Sequence, residues 1–189
     1  MSELTGKLAM VTGASRGIGA GIAIALADEG ADLVITYERS TERASALVRA
    51  IEQKGRRAFA LQADSADAAA VKHSVEEAAA LLGGLDILVN NAGIARVGAF
   101  TDLNLAAIDA MLNVNVRAAV LASQAAIRYM REGGRIVTIG SNVSQRVPFG
   151  LDGVCPDQDR TLCVHVGASA RARAAGHYCQ PGATGADRH

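Results

Sequence analysis

The sequence predicts an α/β fold with a doubly wound parallel sheet, and three observations carry that prediction. Apolar runs of strand length recur: KLAMVT (7–12), ADLVITY (31–37), RAFALQ (57–62), LDILVN (85–90) and GRIVTIG (134–140). Between them lie Ala-rich segments with helical spacing, at 17–29, 40–54, 66–82 and about 103–131. Strands alternating with helices build parallel βαβ units. The strands are also nearly continuous in apolar character, as a sheet covered by helices on both faces requires.

The first strand runs into Thr12-Gly13-Ala14-Ser15-Arg16-Gly17-Ile18-Gly19, and a helix follows. Glycines there let a backbone approach a pyrophosphate, and the free N–H groups of the helix start point at it. The spacing is Gly-x3-Gly-x-Gly, and the plainer alternative is a tight connection with no ligand. The second strand ends in Thr36-Tyr37-Glu38-Arg39, ahead of the 40–54 helix. The third leads into Asp64-Ser65 and the 66–82 helix, and the fourth closes on Asn90-Asn91-Ala92-Gly93. Asn113 and Asn115 interrupt the long helical stretch after it, which reads as two helices meeting there. The fifth strand leads into Ser141-Asn142.

Composition narrows the function classes. Nineteen Lys and Arg balance nineteen Asp and Glu with no basic stripe, so nucleic acid is not an expected partner. Half of the residues are apolar, which suits an ordered globule. No apolar run approaches the roughly 20 residues a membrane span needs, and the N-terminus does not read as a signal peptide. A cytoplasmic protein is expected. Residues 1–149 read as one dinucleotide-binding domain. From about 150 onward the periodicity stops, and 150–189 reads as an irregular tail. Cys155, Cys163 and Cys179 lie in that tail with His165, His177 and His189. Their spacing lacks paired metal-ligand clusters, so no metal site is expected.

TGASRGIG, Asp64-Ser65, NNAG at 90–93, Asn113-Val114-Asn115 and IGSN at 139–142 come in an order and spacing that resemble the short-chain dehydrogenase/reductase family. The flavour is that of the 3-oxoacyl-[acyl-carrier-protein] reductases, and the likeness covers residues 4 to about 149. It implies a Rossmann-like fold and hydride transfer between a nicotinamide cofactor and a carbonyl or alcohol, with a small-molecule carbonyl or acyl-thioester as substrate. It implies cofactor contacts at Gly13, Ser15, Arg16, Gly17, Ile18, Gly19, Asp64, Ser65, Asn91, Ala92 and Gly93. It implies catalytic roles for Asn115 and Ser141, and a homo-oligomer for an intact family member. Tyr37 stands at the position that discriminates between cofactors and is not acidic. Arg16 and Arg39 suit a 2′-phosphate, so NADP is favoured over NAD, with Glu38 pulling the other way.

The resemblance also requires a tyrosine around position 154 and a lysine four residues later. Val154, Cys155 and Gln158 stand there, and no lysine follows Ser141. The whole segment changes character, which points to a shifted reading frame. Written as degenerate codons and regrouped after dropping one base, Asp152 to Gln180 permits TVYALTKTALSAFTWGLARELGPRGITVN. That string carries the missing Tyr-x3-Lys and the next strand, GITVN. The C-terminal strands and helix of the fold are therefore expected to be missing or garbled, with the change of frame between Phe149 and Asp152.

Overall fold

The computed structural model describes residues 2–96 and 102–140. Its elements run β1 (Leu8–Val11), α1 (Gly17–Asp28), β2 (Asp32–Tyr37), α2 (Thr41–Glu52), β3 (Ala58–Gln62), α3 (Ala68–Leu82), β4 (Leu85–Asn90), α4 (Leu105–Leu112), a π-helical turn (Asn113–Arg117), α5 (Ala118–Ile127) and β5 (Met130–Thr138). The five strands form one sheet in the order β3-β2-β1-β4-β5, and every pairing is parallel. The doubly wound α/β reading is the observed architecture.

The central strands β1, β2 and β4 are apolar on both sides because both sides are buried. Leu8, Met10, Val34, Leu85 and Leu88 join Val71, Val75, Ala78 and Leu82 of α3 and Ala118, Ala122, Ala125 and Ala126 of α5 on one face. Ala9, Val11, Leu33, Ile35 and Val89 pack against Ala23 and Ala27 of α1 and Ala44, Leu47 and Ile51 of α2 on the other. Small alanines on the helices let their axes approach the sheet closely. Asp67 caps α3, accepting from the N–H groups of Ala69 and Ala70. Gly83 in the left-handed conformation ends that helix.

Three expectations are corrected. The fifth strand begins at Met130 rather than 134 and ends at Thr138. Met130 pairs with Leu85, and an irregularity then resets the register before Arg135 pairs with Ile87. The polar MREGG stretch hides that early pairing from any search for an apolar run. Next, the two helices meeting at Asn113 and Asn115 are one helical rod. The Ala118 N–H reaches back to the Asn113 carbonyl, so one residue is inserted without breaking the axis. Finally, that rod, Leu105–Ile127, spans 23 residues at mean hydropathy 1.5, long and apolar enough to cross a membrane. Its alanines at 118, 122, 125 and 126 are buried against the sheet and α3, while Leu105, Val120 and Ile127 are exposed and only 17% of the stretch is buried.

Candidate functional site

The candidate site lies at the carboxyl ends of β1, β2 and β4, where the chain order reverses on the two sides of β1 and a crevice opens. Its centre is the turn from β1 into α1. Gly13 has φ +63, and its N–H donates to Thr36 Oγ1 at 3.0 Å. A Cβ at Gly13 would stand 2.8 Å from Ala92 Cα, so the residue must be glycine for packing as well as for conformation. The next amide, Ala14 N–H, donates to the Thr36 carbonyl. Thr12 ties the turn to β4 from below: its Oγ1 accepts from the N–H groups of Asn91 and Ala92 at 3.0 and 3.1 Å.

Asn91 closes the clamp. Its Nδ2 donates to the carbonyls of Thr12 at 2.9 Å and Gly13 at 3.1 Å. Gly19 lies directly beneath, where a Cβ would fall 2.4 Å from that same Nδ2. The Nδ2 of Asn91 is thus spent on shaping the turn, a positioning role. The other side of the turn is open. Gly17 sits at φ +59 with nothing within 4 Å of where a Cβ would be. No side chain caps α1, and no acidic residue occupies its first turn. Ile18 is 69% exposed although it is a large apolar residue. Uncapped helix N–H groups beside a bare glycine surface are what a phosphate needs.

The remaining residues named from the sequence fall around this turn. Tyr37 is buried with the core of the α1/α2 face, so its ring packs rather than presenting itself to solvent. Glu38 and Arg39 are the exposed groups at the end of β2, and they pair with each other, Arg39 Nε to Glu38 Oε1, at 2.8 Å. Asp64 follows β3, and its Oδ1 accepts from Ala66 N–H in a local turn. Ser65 and Ala92 both line a small cavity behind the turn. Asn115, inside the π-helical turn, grips the segment after β4 twice. Its Oδ1 accepts from Ile94 N–H and its Nδ2 donates to the Ile94 carbonyl, both at 2.9 Å. Gly93 lies against that Oδ1. Ser141 and the 150–189 tail lie outside the described residues.

The resemblance calls for a tyrosine near this site. Among the described residues the tyrosines are Tyr37, which is buried, and Tyr129, which precedes β5 at the opposite end of the sheet. Neither reaches the turn. Asp86 and Asp32, whose carboxyls are shifted from their usual value, are also at that opposite end. Burial pushes the Asp86 carboxyl up, but hydrogen bonds from Arg131 and from Leu8 N–H outweigh it and hold the pKa below the usual value. Asp32 follows the same pattern, with Arg57 as its partner. These pairs fasten the sheet and do no chemistry at the crevice.

The sequence model of the short chain dehydrogenases matches residues 7–151. The chain belongs to the short-chain dehydrogenase family. An uncharacterised oxidoreductase of Methylorubrum extorquens is 44% identical over 144 residues, which cover 76% of this chain and 58% of that one. A short-chain dehydrogenase from Burkholderia cenocepacia, solved in complex with NADP, superposes with a TM-score of 0.76 at 61% identity, over 79% of this chain and 61% of that one. A blue fluorescent protein from a metagenomic library, solved with NADPH, superposes with a TM-score of 0.76 at 49% identity, over 79% and 62%. This short-chain dehydrogenase therefore spans less than two thirds of the length of these relatives.

The chain shares its family with oxidoreductases, and two of the matched structures were solved with a nicotinamide dinucleotide. The geometry fits such a group: a glycine surface that a side chain would fill, an uncapped helix end, and exposed cations at Arg16 and Arg39. Thr12 and Thr36 are the residues that sequence reasoning missed. Each is a hydroxyl in or beside an otherwise apolar strand, and that polar interruption was the available signal.

Proposed function

We propose that the gene encodes an NADP-dependent carbonyl reductase acting on 3-oxoacyl thioesters or similar carbonyls. In this reading the 189-residue chain keeps the dinucleotide half and lacks the proton-donating half. The observation that carries it is the open, uncapped glycine turn locked between β2 and β4 by Thr36, Thr12 and Asn91. That turn would hold the pyrophosphate through Ser15, Gly17, Ile18 and Gly19. Asp64 and Ser65 would flank the adenine, and Arg16 and Arg39 would face the 2′-phosphate. NADP(H) bound there supplies or takes the hydride. Asn115 would hold the Ile94 segment under the nicotinamide side, and Ser141 would steady the substrate oxygen.

The Tyr-x3-Lys pair would stand in the other reading frame, across the codons of Val154/Cys155 and Gln158/Asp159. A tyrosine titrates near 10 when unperturbed, so it needs a neighbouring cation to serve near neutral pH. We place the intact protein in the cytoplasm as a homo-oligomer. The second reading, a non-catalytic NADP-binding fragment or non-functional frameshift product, rests on the same missing pair.

Sequencing the gene across codons 145–155 tests the frame. An uninterrupted frame encoding DGVCPDQD in independent reads would overturn a sequencing error as its cause. The 189-residue chain and a frame-restored chain are then titrated with NADPH and assayed for acetoacetyl-thioester reduction. Binding by both with turnover only by the second is expected. Turnover by the 189-residue chain would overturn the role given to the missing pair. Reduction of other carbonyls but not of the thioester would overturn the substrate class.

A further inference from the structure

Behind the glycine turn the carboxyl ends of the strands leave one polar atom over. Asn90 is 6% exposed at the end of β4. Its Nδ2 donates to Ser123 Oγ at 3.1 Å and Thr138 Oγ1 at 3.4 Å. Its Oδ1 is buried and has no hydrogen-bond partner among the described residues. Folded proteins seldom leave a buried amide oxygen in that state, because its desolvation goes uncompensated.

Asn90 also lines a cavity of about 20 Å³ between the sheet and the α3 and α5 layer. Its Nδ2 is held by Ser123 and Thr138, neither of which lines the cavity, while its Oδ1 has no such tie. Thr36, Ser65 and Ser74 supply further hydroxyls to the wall, and no charged residue lines it. Thr36 Oγ1 already accepts from Gly13 N–H, which leaves its own proton to give. Ser74 Oγ donates to the Val71 carbonyl, which leaves its lone pairs to accept. A space of this size is enough to hold a water molecule.

We propose that the cavity is a site for a single structural water, donating to Asn90 Oδ1 and Ser74 Oγ and accepting from the Thr36 hydroxyl. The water completes a network. Thr36 holds Gly13 of the turn, and Asn90 holds β5 and α5 through Thr138 and Ser123. The water joins the two halves and adds α3 through Ser74, so that five elements, β2, β4, β5, α3 and α5, brace the turn before any ligand arrives. The site rests on burial and hydrogen bonding alone and is independent of the cofactor reading.

A crystal structure of the full 189-residue chain, at a resolution that shows ordered waters, tests it directly. One solvent peak within hydrogen-bond distance of Asn90 Oδ1 and Ser74 Oγ is expected. Three results overturn the proposal: no density in the cavity, a reversed Asn90 amide bonding Thr138 through its oxygen, or a side chain from beyond residue 140 bonded to Oδ1. A pair of variants supplies a second reading by thermal denaturation. S74A removes the hydroxyl, and S74V removes it and pushes methyl groups into the cavity. If the water is there, S74V displaces it, strands Asn90 Oδ1 and melts several degrees below S74A. A dry cavity reverses the order, because added methyl groups then fill a void, and that order would refute the proposal.

Discussion

Two glycines in the turn from β1 to α1 share a positive φ and differ in what surrounds them. Gly13 has Ala92 at its back, and Gly17 has open space. The substitutions G13A and G17A therefore separate packing from ligand access. G13A must push the backbone of Ala92 away and is expected to cost on the order of 2 kcal/mol or more in chemical denaturation. G17A meets no atom and carries only the left-handed penalty, about 1–2 kcal/mol. It should nevertheless weaken NADPH binding more than ten-fold, because its methyl group occupies the surface a phosphate would approach. Arg39 makes a further residue-scale prediction. R39Q should weaken NADPH on the order of tenfold, the loss of one charge-assisted contact, and leave NADH unchanged in a fluorescence titration. Equal loss for both cofactors would remove Arg39 from the 2′-phosphate site. The glycines and Arg39 were legible in the sequence because their chemistry is local. Thr12 and Thr36 were not, because each acts on a segment far along the chain, Asn91 and Gly13 respectively, and only the register of the sheet brings them together.

Among the elements, the π-helical turn and β5 stand out. The inserted residue at Asn113–Arg117 lets Asn115 present both ends of its amide to Ile94. N115A should free that segment, raising hydrogen exchange at the Ile94 amide, and should cost about 1–2 kcal/mol for the two bonds lost. The paired asparagines signalled an irregularity in the sequence. They did not say that the rod would continue through it, because an inserted residue leaves no mark in apolar spacing. The start of β5 is fixed by charge rather than by apolarity. Arg131 donates to both oxygens of buried Asp86, which also accepts from Leu8 N–H at 2.8 Å. The Asp86 pKa is lowered on folding from 3.8, so its contribution to stability is present above about pH 4 and is lost as pH falls through the folded value. D86N should cost on the order of 1–3 kcal/mol at pH 7, in keeping with a buried partner facing a half-exposed arginine. The gap between variant and wild type should close in acid, and a gap that persists at the lowest pH would mean the carboxylate charge was not its source.

For the whole molecule, the two ends of the sheet have separate tasks. Ion pairs fasten the amino ends of the strands through Asp32–Arg57 and Asp86–Arg131, and neutral hydrogen bonds shape the carboxyl ends. That division explains what the sequence disclosed. The central strands were legible because burial on both faces leaves long apolar runs. The boundary of β5 was hidden because its first residues pair through polar segments. The site was legible in its motifs and silent about which groups face a ligand. Tyr37 and Asn91 turned out to be committed inward, and no local pattern encodes that.

The bonds that close the glycine turn also have an order in time. All of them join residues between Thr12 and Ala92, within the first half of the chain. A chain emerging from the ribosome from its amino end carries every group needed to close that turn long before Ser141 is made. Whatever the later codons specify, they are added to a turn whose parts are already in hand.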